Sequence, residues 1–261
     1  MPSGTARQSS DRLRLALGLA ALTLGASGLA GCGAPATSGQ DGGAAQSSSP
    51  SPTPTPTPTP TPYDDAQISA ALTSVNTSEA LGGQLLSAEQ LAAAAPGFAE
   101  MLESLQIQPA DCGVILALGA SSPTPKGTTV GTLLAASADP ASAVSISVAT
   151  SAHPQPGTDI AASRTALAPC TTFTATTPQA PGLTITGSMT EVPATVPSAE
   201  TFGLVMSMEA AGQTFQTATL AAKKDLTLVT VTPGVGPAGP EAAVSRAESL
   251  ATAVYTALEA Q

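Results

Sequence analysis

Few side chains in this 261-residue sequence are equipped for covalent chemistry. There is one histidine, His153, and there are three cysteines, Cys32, Cys112 and Cys170. A Ser-His-Asp or Cys-His relay would need His153 as its base. That residue sits in TSAHPQPG, a loop-like stretch after a strand pattern. No Gly-x-Ser-x-Gly elbow occurs, and one histidine cannot build a His-rich zinc site. The carboxylates are scattered. Asp64 and Asp65 precede the first helical pattern, and Glu100 and Glu103 fall on an exposed helix face. No spacing among them suits paired-carboxylate catalysis or a calcium loop. Gly234 to Gly239 spells G-x-G-x-x-G between a strand and a helix. However, Pro237 and Pro240 remove two N–H donors that a pyrophosphate would require, and no strand with an acidic residue follows. We therefore expect a turn there. Phe202, Leu204, Met206 and Met208 alternate along one strand. Methionines can line adaptable pockets, but the same alternation is what the inward face of a strand requires, and that is the expectation here. The chemistry anticipated is non-catalytic, with no metal and no cofactor.

Charge excludes further classes. The formal net charge is −10, and three of the eight basic residues, Arg7, Arg12 and Arg14, lie at the N-terminus. Such a chain lacks the cationic footprint that neutralises phosphates, so no nucleic-acid partner is expected. It also repels anionic headgroups, so a membrane would have to be reached by some other means.

Cys32 supplies that means. The three arginines form a positive n-region, Leu15 to Leu29 an apolar h-region, and Leu29-Ala30-Gly31-Cys32 a small-residue cleavage site. The apolar run is short for a membrane span, which needs roughly 20 residues. The segment resembles the lipobox of bacterial lipoproteins. The resemblance implies that residues 1–31 are a signal peptide and that Cys32 becomes the acylated first residue. A single acyl chain binds a membrane marginally, whereas two hold stably. The expected location is the extracytoplasmic face of the cell membrane.

Residues 32–62 read as a disordered stalk. Proline occupies every second position from Pro50 to Pro62, which forbids helix and removes ladder donors. A polyproline-II spacer rising about 3.1 Å per residue is expected. Its Thr-Pro repeats resemble O-glycosylated stalks; the sequence leaves modified and bare threonines equally open.

Residues 63–261 suit one domain. Ile68, Leu72 and Val75 recur at helical spacing, and Gly82 to Leu86 suits a short strand. Ser87 and Gln90 match a capping box before a helix that resumes, after Pro96-Gly97, through Leu105. Pro109 suits the first turn of a short helix carrying Cys112. Strand patterns then cover 128–135, 143–150, 170–176, 183–190, 201–209, 214–221 and 226–231, with a helix over 158–167 and turns at Ala211-Gly212 and Lys224-Asp225. Pro240 opens a last helix whose stripe is Ala243, Ala247, Leu250, Val254 and Leu258. Consecutive strands with short links pair antiparallel. The expectation is an α+β domain with helices packed on one face of the sheet.

With Cys32 acylated in an oxidising compartment, Cys112 and Cys170 are expected to pair as a structural disulfide. Their long spacing, with no second ligand cluster, suits neither a redox pair nor a metal site. The segments QIQPADCG (106–113) and ALAPCTTFT (166–174), followed by a strand-rich half, resemble a group of actinobacterial exported domains typified by the PknH-like extracellular sensor domain. The resemblance spans about Glu79 to Leu258. It implies a sheet with packed helices and a ligand-sized cleft. That family carries two disulfides, and this chain can make one. Two functions follow as expectations. The first is a surface-anchored module that binds or senses a small-molecule or lipid ligand of the cell envelope. The second is a structural lipoprotein that engages a protein partner.

Overall fold

The computed structural model describes residues 60–87, 90–91, 93, 104–110, 112, 128–137, 139–152, 159–178, 180 and 182–261. Cys32, the proline stalk up to residue 59, Pro96-Gly97, Glu100, Glu103 and His153 lie outside them.

Among the described residues three α-helices accompany one nine-stranded sheet. In chain order they are α1 (Asp65–Ser78), β1 (Gln84–Leu86), β2 (Gln106–Gln108), β3 (Thr128–Ala135), β4 (Val144–Ser151), α2 (Ile160–Leu167), β5 (Thr172–Thr176), β6 (Thr184–Val192), β7 (Glu200–Ala210), β8 (Gln213–Lys224), β9 (Thr227–Pro233) and α3 (Pro240–Glu259). Every pairing is antiparallel, in the order β1-β3-β4-β9-β8-β7-β6-β5-β2. Strands β5 to β9 form a meander. β3 and β4 extend it past β9. β1 and β2, successive in sequence, cap opposite edges. Both edge strands are three residues long, which limits the unpaired backbone each offers to another chain.

Local signals in the sequence account for the ends of the elements. Asp64 caps α1: its carboxylate accepts the Gln67 N–H at 2.8 Å, and Gln67 Oε1 accepts the Asp64 N–H at 3.0 Å. Ser87 and Gln90 make the same reciprocal pair, at 2.8 and 3.1 Å. Ala211 and Gly212, with φ of 52° and 74°, give the two-residue turn joining β7 to β8. Pro240 stands at the start of α3, as anticipated.

The fold class is α+β with an antiparallel sheet and one disulfide. The helices do not share a single face. α1 and α3 lie side by side over β3, β4, β9 and β8, burying Ile68, Leu72, Leu133, Ile146, Val231, Leu250 and Val254 in the main core. On β8 that face carries Leu220 and Ala222, and Leu220 stands opposite Gly203 of β7. Leu204 and Met208 of β7 therefore point the other way. They pack with Leu167 of α2, Phe173, Met189 and the two cysteines in a second core. α2 thus covers the opposite face over the opposite half of the sheet. A sheet this wide has two apolar stretches on opposite faces, and each needs its own cover.

Tyr255 fastens α3 to the sheet. Its buried hydroxyl lies 2.7 Å from the Ala222 carbonyl oxygen and 3.1 Å from that of Thr227. Burial raises its pKa above the ordinary phenol value of 10.0. Lys224, at the same end, is also raised above its ordinary 10.5, chiefly by the hydrogen bond it donates to Glu259. A raised folded-state pKa gives a contribution that is complete below the unfolded value and is lost as pH climbs past it. Stability should therefore hold to about pH 10 and fall above it. Tyr255→Phe should flatten that alkaline fall and cost about 1 kcal/mol at neutral pH through the lost hydrogen bond. Urea titrations between pH 8 and 11 would show both. An alkaline slope unchanged in the variant would refute the assignment to Tyr255.

Candidate functional site

Each residue singled out in the sequence has a definite place where the structure describes it. Cys112 and Cys170 are fully buried and form a disulfide with a Cα–Cα distance of 5.3 Å. It joins the segment after edge strand β2 to the turn that ends α2. Phe202, Leu204, Met206 and Met208 share one face of β7 and belong to the second core. Their neighbour Gly187, opposite Met208, lies under the ring of Phe173: a Cβ there would sit 2.2 Å from Cζ. The Phe173 ring thus fills the space over Gly187 in this stretch. Gly234 to Gly239 is a turn. Gly234 donates to the Ala143 carbonyl, and Gly239, at φ 88°, precedes Pro240 at the start of α3. Asp64 is the helix cap.

Arg164, Lys224 and Arg246 serve structure. Arg164 of α2 donates from Nε to Glu191 Oε1 at 2.7 Å and from Nη2 to the Thr201 carbonyl at 2.7 Å, with its guanidinium 6.0 Å from the centre of the Phe202 ring. The ion pair is well exposed and so contributes little by itself; its fork fixes where α2 docks. Arg246 of α3 donates from Nη1 to the Ala141 carbonyl at 2.9 Å. An open, shallow groove runs along α1 beside Ser69, Thr73 and Thr77. The hydroxyls of Thr73 and Thr77 are turned onto the carbonyls of Ser69 and Thr73 in the helix itself.

The two cores leave two polar stretches of sheet, again on opposite faces. The first lies on the α2 face of β3, β4, β9 and β8, where Thr132, Ser145 and Thr230 are buried. Hydroxyls there pair with each other: Thr132 with Ser147 at 3.1 Å, and Thr219 with Thr232 at 3.2 Å. Thr128 Oγ1 is buried without a hydrogen-bond partner among the described residues.

The second lies on the α1–α3 face, beyond the reach of both helices, and it is open. The registers of β2, β5, β6 and β7 place Gln108, Thr174, Thr186 and Glu209 in one cross-strand row. Gln106, Thr176 and Thr184 form the row on one side of it. Thr172, Ser188 and Ser207 form the row on the other. All of these except Ser188 and Ser207 are exposed, and those two are half-buried. Glu209, at the border, is the one charge in these three rows. The surface is chemically uniform: hydroxyls and amides about 4.8 Å apart between strands, with threonine methyls between them. It suits a neutral, hydrogen-bonding ligand or partner. Glu209 is the single carboxylate in these rows, with no histidine, cysteine or second carboxylate beside it, and among the described residues no group of three or more His, Cys, Asp or Glu side chains is placed to hold a metal.

Sequence reasoning missed this surface. The alternation of threonines was visible, and which face the helices leave bare was not.

No protein-family model and no curated protein matches the chain. Among solved structures, the chain is similar to an uncharacterised protein from Mycobacterium smegmatis, the Rv0999 ortholog. The match has 19% identity, covers 74% of this chain and 97% of that one, and has a TM-score of 0.45.

Proposed function

We propose that this chain is an extracytoplasmic lipoprotein, held to the cell membrane by acylation of Cys32, whose 63–261 domain binds or senses a ligand of the cell envelope without catalysing its conversion. The observation that supports a binding role is the open, nearly uncharged hydroxyl and amide surface of β2, β5 and β6. An acidic domain that offers such a surface favours a neutral, polar ligand over an anionic polymer, which its net charge would repel. The cysteine contexts that resemble the PknH-like sensor domains support the same reading, since both cysteines meet in the second core on the other side of these strands. A signal sensed in this way would have to pass to another protein.

Native mass spectrometry of the exported protein tests the reading. The expected result is extra mass that is released on denaturation. Thr186→Lys, at the centre of the open surface, should lower that occupancy at least tenfold while shifting stability by no more than about 0.5 kcal/mol, as for other exposed positions. Full occupancy in the variant would place the ligand elsewhere. A bare protein in the wild type would remove the small-ligand reading and leave a protein partner as the object of the same surface.

A further inference from the structure

We infer that the stalk joins the domain directly at one pole of the sheet, through a joint packed on the core, so that the β7–β8 hairpin lies at the pole farther from the membrane. The inference rests on the anchoring proposed above.

The joint is described by the structure. Tyr63 follows Pro62, the last proline of the stalk, and its ring packs against the main core. Ile68, near the start of α1, sits against Gly131, while Asn76 at its far end bonds Gly83 beside Ala135, so α1 begins at the Thr128 end of β3, the same end at which β4 and β9 pair Thr150 with Thr227. Lys224 and Tyr255 mark that end of the molecule. Lys224 closes β8 and pairs with Glu259 in the last turn of α3, and Tyr255 reaches the carbonyls of Ala222 and Thr227 at the β8–β9 turn. The next residue after Tyr63 is Asp64, already committed to capping α1. No free linker residue therefore separates the stalk from the core, and proline fixes its own φ at the junction.

From that end β8 runs 12 residues to Gln213. At about 3.3 Å per residue the Ala211-Gly212 tip lies roughly 40 Å from the joint. The open threonine surface extends toward the same outward end, because Ile185 at the start of β6 pairs with Ala210. A tether attached at one pole, with a packed tyrosine as its joint, holds that pole near the membrane and turns the other outward.

The test uses the full lipidated chain in phosphatidylcholine vesicles carrying an acceptor dye on a fraction of their headgroups. A donor dye is placed on Gln213→Cys, beside the tip, or on Gln261→Cys, at the end of α3. The expected result is energy transfer several-fold stronger from position 261 than from position 213, with Tyr63→Ala narrowing the difference. Equal or reversed transfer from vesicle-bound protein would overturn the polarity alone. A difference untouched by Tyr63→Ala would overturn the packed joint. Protein that fails to float with the vesicles would overturn the anchoring and this inference with it.

Discussion

Replacing both Cys112 and Cys170 by alanine should lower the unfolding free energy by about 4 kcal/mol, which is the chain-entropy value for a bridge between residues 58 apart. In a domain of this size that corresponds to a fall in Tm of roughly 10 °C. The effect is large because the bridge closes a long loop and because its two ends are otherwise lightly held. On one side it secures the segment after β2, a three-residue strand paired only with β5. On the other it secures α2, which has eight residues and buries only Ile160 and Leu167. Both sulfurs lie within the second core, so reductant should act only on protein that has already opened. Urea denaturation of wild type and double variant provides the measurement. A difference below 1 kcal/mol would show that the constraint is not what holds these elements. Hydrogen exchange should also rise first at Gln106 to Gln108.

Leu72→Ala should be comparably destabilising, by about 2–5 kcal/mol. Leu72 is fully buried where α1 meets β3, beside Gly131, whose missing side chain lets Ile68 approach: a Cβ at Gly131 would sit 2.4 Å from Ile68 Cγ2. A helix seated this closely cannot settle further to fill the space a leucine leaves, which places the cost toward the upper part of the range. The loss should be larger than at Leu85, the exposed leucine of β1, where Leu85→Ala should stay within about 0.5 kcal/mol. Chemical denaturation of the two variants compares them directly. Equal effects would mean that α1 is not a fixed part of the main core, and the joint at Tyr63 would lose its footing too.

Much of this architecture could be read from local pattern. The apolar stripe from Ala243 to Leu258 specifies α3 because a 3.6-residue period with a proline at its start has one compact solution. Val144, Ile146 and Val148 specify the buried side of β4 by their period of two. The capping pairs of Asp64 with Gln67 and Ser87 with Gln90, and the turn at Ala211-Gly212, are local arrangements within four residues and needed no partner element. The pairing of Cys112 with Cys170 followed from their being the two cysteines left to one domain once Cys32 is assigned to a lipid. β2 was not legible, since three residues carry no period and the strand exists only because β5 offers an edge.

The division of the helices between the two faces was decided by tertiary structure. Alternation along a strand shows that it has two faces; it cannot say which of them a distant helix will cover. Thr132 and Thr230 are buried, whereas Thr174 and Thr186 are open, although all four are threonines in well-formed strands. The described helices leave both stretches uncovered, Thr132 and Thr230 on one face of β3 and β9 and Thr174 and Thr186 on the other face of β5 and β6, so neither residue type nor strand alternation nor helix cover separates the buried pair from the open one. The sequence by itself determined the longer elements, their caps and their apolar sides, all of which depend on neighbours a few residues away. Only the packed structure decided which polar surface faces solvent and at which pole the stalk enters, because those depend on contacts between elements distant in sequence.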